Sequence, residues 1–231
     1  MVNYANITYN APNPLRRFSH RKRFEKTIEY VTVNKNFRLL DYGCGDGLFL
    51  NNLKKVTTEK SFLIGFEPIL LPIESNTVNI TANLEEVEKE PPFDYITCLE
   101  VLEHFDEFEQ RKMLCKLFSL LSDDGFLIVS VPIENGLPSL VKNILRRISW
   151  SKEGRKIFSV KNIIYAFFKR KILRTPSESG YIFLHLGFYH KDLEHLLLEK
   201  FIITKKSFSP FNLFGSQLNA QVFYYLKKVK G

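Results

Sequence analysis

The chain lacks the long apolar runs, paired cysteines and repeats that mark several large classes of protein. No stretch approaches the run of about eighteen apolar residues that a membrane-spanning helix needs, and Met1 to Tyr9 is too polar for a signal peptide. The three cysteines show neither C-x-x-C nor metal-binding spacing. Internal repeats and low-complexity tracts are absent from the 231 residues. We therefore expect a soluble, cytoplasmic protein with reduced thiols and one sizeable core.

The net charge of +8 is concentrated in two parts of the chain. Residues 138–175, called the basic segment below, hold eleven Lys and Arg against one acid, Glu153. A smaller basic cluster, Arg16 to Arg23, precedes the first predicted strand. Apolar residues recur at helical spacing in the basic segment, which predicts two basic amphipathic helices. Their aliphatic side chains favour an anionic membrane surface over RNA as a partner, and the alternative that the apolar stripe packs on the core stays open.

Strand-like and helix-like segments alternate along most of the chain. Residues 1–18, with Pro12 and Pro14, are predicted to form an irregular arm. Strands are predicted near 37–41, 62–66, 78–82, 93–98, 125–131, 201–208 and 221–227, and helices near 21–33, 47–55, 107–121 and 191–199. Such alternation is typical of an α/β fold with a mainly parallel sheet and helices on both of its faces.

The most informative run is Asp41-Tyr-Gly-Cys-Gly-Asp-Gly47, which follows an apolar strand and opens a helix. Its glycines allow a ligand to approach the main chain, and the new helix directs free N–H groups towards it. A dinucleotide fingerprint needs a third glycine at position 48, where this chain has leucine, so a nicotinamide cofactor is disfavoured. Asp46 beside the helix start disfavours a pyrophosphate and favours a cationic ligand such as S-adenosylmethionine.

Four motifs in register resemble the class I S-adenosylmethionine-dependent methyltransferases: Asp41–Gly47, Ile64–Pro68, Phe93–His104 and Leu121–Pro132. The resemblance implies a Rossmann-like α/β fold with a seven-stranded, mainly parallel sheet, helices on both faces and a helical insertion after strand 5. It implies one methyltransferase domain over residues 1–231. Within that domain, 20–132 would form the cofactor-binding core, 138–175 the inserted basic segment, and 181–231 the last helix and the closing strands.

The same resemblance assigns the cofactor-binding residues. Asp41 and the loop glycines would hold the methionine end, and Glu67 would accept hydrogen bonds from the ribose hydroxyls. The position of Glu67 at a strand end, about twenty residues after the loop, independently suits a ribose diol. Where the family often has an acid at the adenine edge, this chain has Asn83. The full expected set is Asp41, Tyr42, Gly43, Cys44, Gly45, Gly47, Glu67, Pro68, Asn83, Leu84, Leu99 and Glu100.

Candidate catalytic residues follow the fourth predicted strand. Glu100, Glu103 and His104 stand at i, i+3 and i+4, which places them on one face if the stretch is helical. This E-x-x-E-H pattern resembles ubiquinone-pathway O-methyltransferases and small-RNA 2′-O-methyltransferases, where these positions carry a magnesium-type metal, and His185 resembles their late histidine. We expect His104, Glu103 and His185 to be catalytic. A Mg²⁺ site at Glu100, Glu103 and His104, a metal-free base at His104 and a structural His104 stay open as alternatives.

The combined pattern predicts an S-adenosylmethionine-dependent methyltransferase that acts on oxygen, because a hydroxyl needs a base or a metal to become a nucleophile. The arginine-rich stretch Asn13–Phe24 and the basic segment resemble methyltransferases of bacterial surface-glycan and lipid-linked pathways. The acceptor would accordingly be a small molecule, a glycan or a lipid-linked compound, met at the inner face of a membrane. Two rival hypotheses are an RNA methyltransferase and a cofactor-binding interaction protein without turnover.

Overall fold

The computed structural model describes residues 14–31, 34–69, 78–149, 157–168, 170, 172–178, 180–211 and 215–229. The strands are β1 (Arg38–Tyr42), β2 (Phe62–Phe66), β3 (Asn79–Thr81), β4 (Phe93–Leu99), β5 (Leu121–Pro132), β6 (Phe201–Ser209) and β7 (Gln221–Lys228). They form one seven-stranded sheet in the order β3-β2-β1-β4-β5-β7-β6. The first five are parallel, and β7 lies antiparallel between β5 and β6. The predicted α/β fold with a mainly parallel sheet is confirmed.

Helices connect these strands and lie on both sides of the sheet. They are α1 (Pro14–Ile28), α2 (Leu48–Lys54), α3 (Leu84–Glu88), α4 (Glu107–Leu120), α5 (Gly136–Ser149), α6 (Val160–Phe167) and α7 (His190–Leu198). The helices α5 and α6 occupy the stretch after β5 in which two helices are predicted. In the described part of the chain, no helix has both the length and the apolar character that crossing a membrane requires.

The sheet buries apolar side chains on both faces because successive residues of a strand point in opposite directions. Leu39 and Leu40 of β1 are fully buried, and they belong to two different core clusters. Leu39 packs with Phe37, Phe49 and other residues of one cluster. Burial on both faces explains why the central strands read as short, nearly continuous apolar runs in the sequence.

The amino-terminal prediction is corrected by the structure. Helix α1 begins at Pro14, so the predicted irregular arm is wrong for residues 14–18, and the predicted helix over 21–33 starts and ends too late. Proline suits the first turn of a helix, where its missing N–H would have had no partner within the helix. The helix ends before Tyr30, whose N–H already donates to the Thr27 carbonyl in a tighter turn. Residues 1–13 lie outside the described residues.

The parallel strands set the position of the site. The carboxyl ends of β1, β2, β4 and β5 meet at one edge of the sheet, because parallel neighbours end on the same side. The residues that directly follow these four strands are Gly43–Gly47, Glu67–Pro68, Glu100–His104 and Ile133–Asn135. Motif residues that are far apart in the sequence therefore come together at this edge.

Candidate active site

A cavity of about 720 Å³ lies at the carboxyl edge of the sheet. Nine of the expected cofactor-binding residues line it: Asp41, Tyr42, Gly43, Cys44, Gly45, Glu67, Pro68, Leu99 and Glu100. His104 also lines it, together with Tyr181 and Phe183 from the segment before α7. Gly47, Asn83 and Leu84 do not belong to the lining. Gly47 instead precedes α2 as its cap, and Asn83 caps α3 by accepting a hydrogen bond from the Glu85 N–H.

The loop from Gly43 to Gly47 depends on glycine for its path. Gly43, Gly45 and Gly47 have φ angles of 80°, 57° and 73°, in the left-handed region that other residues avoid. The Gly43 N–H donates to the Phe66 carbonyl at 2.8 Å, which ties the loop to the end of β2. A Cβ atom on Gly43 would lie 2.4 Å from Cγ2 of Val101, so the space beside it is already filled. The loop is therefore held close to β2 and to Val101.

Glu67 is fixed at the cavity wall by main-chain donors. Its Oε2 accepts a hydrogen bond from the Gly45 N–H at 3.0 Å, and its Oε1 accepts one from the Ile69 N–H at 3.1 Å. A carboxylate oxygen has capacity for a further hydrogen bond beyond one main-chain donor. Glu67 thus joins the glycine loop to the end of β2 and keeps acceptor capacity on the cavity side.

Asp41 and Arg23 place two buried ionisable groups beside the loop. Asp41 accepts a hydrogen bond from the Thr97 hydroxyl at 2.7 Å. Burial raises the pKa of Asp41 to about 7, against the opposing effects of Thr97 and Arg23. Arg23 of α1 lines the cavity, and its Nη1 lies 3.9 Å from Oε2 of Glu100. Sequence analysis missed Arg23, although its place on one helical face with the buried Thr27 is a signal that could have found it.

His104 also lines the cavity, and both of its ring nitrogens lie near polar partners. Its Nδ1 lies 2.8 Å from the Ile182 carbonyl, its Nε2 lies 3.3 Å from Nε2 of His185, and its ring stacks on Tyr181. Because only an N–H can donate to a carbonyl, Nδ1 carries a proton, and Nε2 of the neutral ring is an unprotonated acceptor that faces His185. Burial lowers the pKa of His104 to about 4, so the ring is uncharged at neutral pH.

The expected helical face of Glu100, Glu103 and His104 is wrong. Only Leu102–His104 form a turn of 3₁₀ helix, and Glu100 before them has a φ of 59°, which a right-handed helix does not accommodate. Glu100 therefore faces Arg23, whereas donor atoms of Glu103, His104 and His185 lie within 4.8 Å of one another. Two imidazoles and one carboxylate suit a transition metal better than Mg²⁺, which prefers oxygen ligands.

Glu103 is the most deeply buried member of this group. In the described part of the chain, neither of its carboxylate oxygens has a hydrogen-bond partner. Burial, helped by the nearby charge of Glu100, raises the pKa of Glu103 well above its usual value. A buried carboxyl group without a partner is stable when it holds a proton or pairs with a cation.

Glu134, which sequence analysis missed, places a buried carboxylate next to His185. It follows β5, its side chain is fully buried, and its Oε1 lies 3.7 Å from Nδ1 of His185. Burial alone would raise its pKa, but Lys142, His185 and Arg146 together lower the pKa of Glu134 to about 2. A negative charge is therefore fixed behind His185, and His185 stands between this charge and His104. The only signal in the sequence is an acid directly after an apolar strand, as at Glu67.

Comparison with known proteins identifies the family. A family model described as "Methyltransferase domain" matches residues 8–167, and the chain therefore belongs to this family. The resemblance to class I S-adenosylmethionine-dependent methyltransferases is thereby confirmed.

Individual relatives and solved structures are similar to the chain at low sequence identity. The ubiquinone biosynthesis O-methyltransferase of Rickettsia prowazekii is 30% identical over 127 residues, which are 50% of this chain and 49% of that protein. The chain thus spans about half the length of this curated relative. A crystal structure of a Pyrococcus horikoshii protein shares the fold with a TM-score of 0.58 and 13% identity, over 98% of this chain and 96% of the other. Magnesium protoporphyrin IX methyltransferase from Synechocystis, solved with bound SAH, has a TM-score of 0.55 and 14% identity, over 95% and 89%.

Proposed function

We propose that the chain transfers a methyl group from S-adenosylmethionine to an oxygen of a small-molecule, glycan or lipid-linked acceptor. One observation carries the proposal: a single cavity is lined both by the glycine loop with Glu67, the first group, and by His104, the second. The first group offers main-chain and carboxylate groups for a nucleoside with an amino-acid tail. The second offers a neutral imidazole for a hydroxyl proton. The family membership supports the same reaction class.

In this proposal, the cofactor lies along the ends of β1, β2 and β4. The loop glycines and Asp41 hold its methionine part, with Tyr42, Cys44, Leu99 and Glu100 around it, and the Arg23 guanidinium suits the methionine carboxylate. Glu67 and Pro68 take the ribose. Asn83 and Leu84 are proposed for the adenine edge because the Glu67 N–H donates to the Thr81 carbonyl, which brings the start of α3 near the ribose site. Gly47 contributes indirectly, because its own left-handed backbone conformation leads the chain into α2.

The proposed chemical step is a displacement at the methyl carbon. The acceptor oxygen forms a bond to that carbon as the carbon–sulfur bond breaks, and its electron pair remains on sulfur as a neutral thioether. The hydroxyl proton passes to Nε2 of His104, which carries no proton in the neutral ring. His185 is the positioning residue, because it lies between His104 and the Glu134 carboxylate, and this charge stabilises a proton shared by the two imidazoles. Glu103 is the fully buried member of the group that it forms with His104 and His185.

A divalent ion held by Glu103, His104 and His185 is the second candidate for the same step. The unpartnered Glu103 carboxylate and the 4.8 Å span of the donor atoms support it. When bound, such an ion would polarise the acceptor hydroxyl. The two candidates differ in a chelator experiment, since treatment with EDTA followed by gel filtration abolishes turnover only if an ion takes part.

The experiment that tests the proposal measures transfer of a labelled methyl group to a panel of hydroxyl acceptors. We expect transfer by the wild type and a loss of about 100-fold or more for His104→Gln, because a positioned base contributes on the order of 10² to 10⁴. His195→Gln is the matched control, since His195 is an exposed residue of α7. Equal loss in both variants, or full activity in His104→Gln, would contradict the proposed role of His104.

A further inference from the structure

Helix α5 has its polar face towards the protein and its apolar face outwards. The inner face carries Ser139, Lys142, Asn143 and Arg146, which recur at helical spacing. Ser139 Oγ donates to the Glu134 carbonyl at 2.8 Å, and Asn143 Nδ2 donates to Ser139 Oγ at 2.8 Å; both side chains are buried. The Lys142 ammonium and the Arg146 guanidinium pair with the buried Glu134 carboxylate. This network fixes the rotation of the helix about its axis.

The opposite face of α5 is apolar and exposed. It carries Leu137, Val141, Ile144, Leu145 and Ile148, at spacings that lie on one side of a helix. Their exposed fractions run from 43% for Ile144 to 73% for Ile148. A helix that meets only water normally has the reverse arrangement, with its apolar residues on the core. The interpretation that the apolar stripe of the basic segment packs on the core is therefore wrong for these residues.

Helix α6, which contacts α5, also exposes apolar side chains. Ile157, Val160, Ile164 and Phe168 are 38% to 65% exposed, while Ile163 and Ala166 on the other side are buried in a small cluster with Phe158. Together with the five residues of α5, these four residues give nine large exposed apolar side chains. We call these nine side chains the outer apolar face. They are nearly half of the twenty exposed large apolar side chains in the described residues. Solitary exposed apolar residues are ordinary, but a concentration of them on two contacting helices indicates an interaction surface.

Positive charge borders the outer apolar face. Lys161 and Arg170 are exposed, and both lie over the ring of Tyr165, at 5.4 Å and 5.8 Å from its centroid. In the sequence, the basic segment has one acid against eleven basic residues. Of these, Lys142, Arg146, Arg147 and Arg174 make internal contacts, and Lys152, Arg155, Lys156, Lys169 and Lys171 lie outside the described residues. An apolar stripe bordered by cations fits an anionic lipid leaflet, whereas a second copy of this chain would place like charges together.

We propose that the outer apolar face of α5 and α6 inserts into the headgroup region of an anionic membrane, with Lys161 and Arg170 at the level of the lipid phosphates. One consequence rests on the proposed function, namely that the docked enzyme meets a lipid-linked acceptor at the membrane surface. The docking itself follows from the orientation of α5, which Glu134 holds from inside the protein.

Sedimentation with vesicles tests the docking. The full chain is mixed with vesicles of phosphatidylcholine alone or with one third phosphatidylglycerol. We expect binding to the anionic vesicles that weakens at least tenfold in Leu145→Glu/Ile148→Glu and falls with added salt. Val56→Glu is the matched control, since Val56 is 51% exposed and lies outside the basic segment, and it should bind like the wild type. Binding of S-adenosylhomocysteine by calorimetry, unchanged in all variants, shows separately that the fold and the cofactor site are intact.

Three results would overturn the docking proposal. The first is that the wild type fails to sediment with anionic vesicles at low salt. The second is that Leu145→Glu/Ile148→Glu sediments as well as the wild type. The third is that light scattering shows a wild-type dimer that the same two substitutions convert to monomer, which would assign the surface to a second copy. Each of these results leaves the methyl-transfer proposal standing, because that proposal is tested by cofactor binding and labelled transfer without vesicles.

Discussion

Asp41 is the residue of the site whose charge responds most directly to pH near neutrality. Its carboxyl group is buried and receives one hydroxyl hydrogen bond from Thr97. Burial raises its pKa from 3.8 to about 7, so the folded protein keeps a proton there that the unfolded chain loses. Between those two values the folded state binds more protons than the unfolded state, and stability falls as pH rises.

We predict that Asp41→Asn removes this part of the pH dependence. The amide oxygen still accepts from Thr97, but it does not titrate, so the variant gains stability relative to the wild type between about pH 4 and 7, on the order of 4 kcal/mol over the window. Urea denaturation of both proteins at intervals of one pH unit measures the difference. Parallel stability curves for the two proteins would refute the assigned protonation of Asp41.

Gly43 allows a second prediction, in which backbone strain and steric clash are separated. In Gly43→Ala, the residue keeps a φ of 80° and its Cβ meets Val101, so we expect a loss of about 2 to 4 kcal/mol in unfolding free energy. Gly180→Ala is the matched control, because Gly180 has a φ of 79° and open space around the added Cβ. It should lose only about 1 to 2 kcal/mol. Equal losses in chemical denaturation would show that Val101 moves aside.

At the scale of elements, the segments that lie in the sheet could be predicted from the sequence, and the turn that carries the catalytic candidates could not. The strands at β1, β2 and β4 are short apolar runs because both faces of a parallel sheet are buried, and this leaves a local signal. The left-handed Glu100 has no such signal, since its conformation depends on contacts made after folding. His185 was expected from the resemblance, but its partner Glu134 is brought to it by the fold.

The orientation of α5 is another feature that periodicity does not determine. The spacing of Val141, Ile144, Leu145 and Ile148 predicts an amphipathic helix but does not say which face is buried. That choice depends on Glu134, a buried acid before the helix that needs Lys142 and Arg146 as partners. A sequence in which the acid were apolar would favour the opposite rotation, with the apolar face inwards.

We predict that Glu134→Gln destabilises the protein and loosens α5. The substitution keeps the shape but removes the charge that two partly buried cations face, at a cost of about 1.5 to 3 kcal/mol for charge-assisted hydrogen bonds. Thermal unfolding gives the stability loss, and hydrogen exchange should increase in residues 136–149 more than in α4. Glu109→Gln, at a half-buried acid of α4 that pairs with Lys112, is the control and should change little. Unaltered exchange in α5 would show that other contacts fix its orientation.

At the scale of the whole molecule, the site combines two parts of the chain with different tasks. The part from β1 to β5 builds the proposed cofactor side, which uses main-chain groups and a few acids. The part from Glu134 to His185 supplies the second histidine and the outer apolar face, and Arg174 of this part donates to the Glu103 carbonyl beside His104. The proposed acceptor therefore meets residues from both parts.

Calorimetric titration with S-adenosylhomocysteine tests the central claim most directly, because the claim depends on the cavity being a cofactor site. The account predicts one molecule bound per wild-type chain. It predicts weaker binding by about 1.5 to 3 kcal/mol, or roughly 10- to 150-fold, in Glu67→Ala, which loses charged hydrogen bonds to the ribose. Glu85→Ala, at an exposed acid of α3, should bind like the wild type. The absence of binding to the wild type, or an affinity of Glu67→Ala equal to that of the wild type, would contradict the claim that the cavity is a cofactor site.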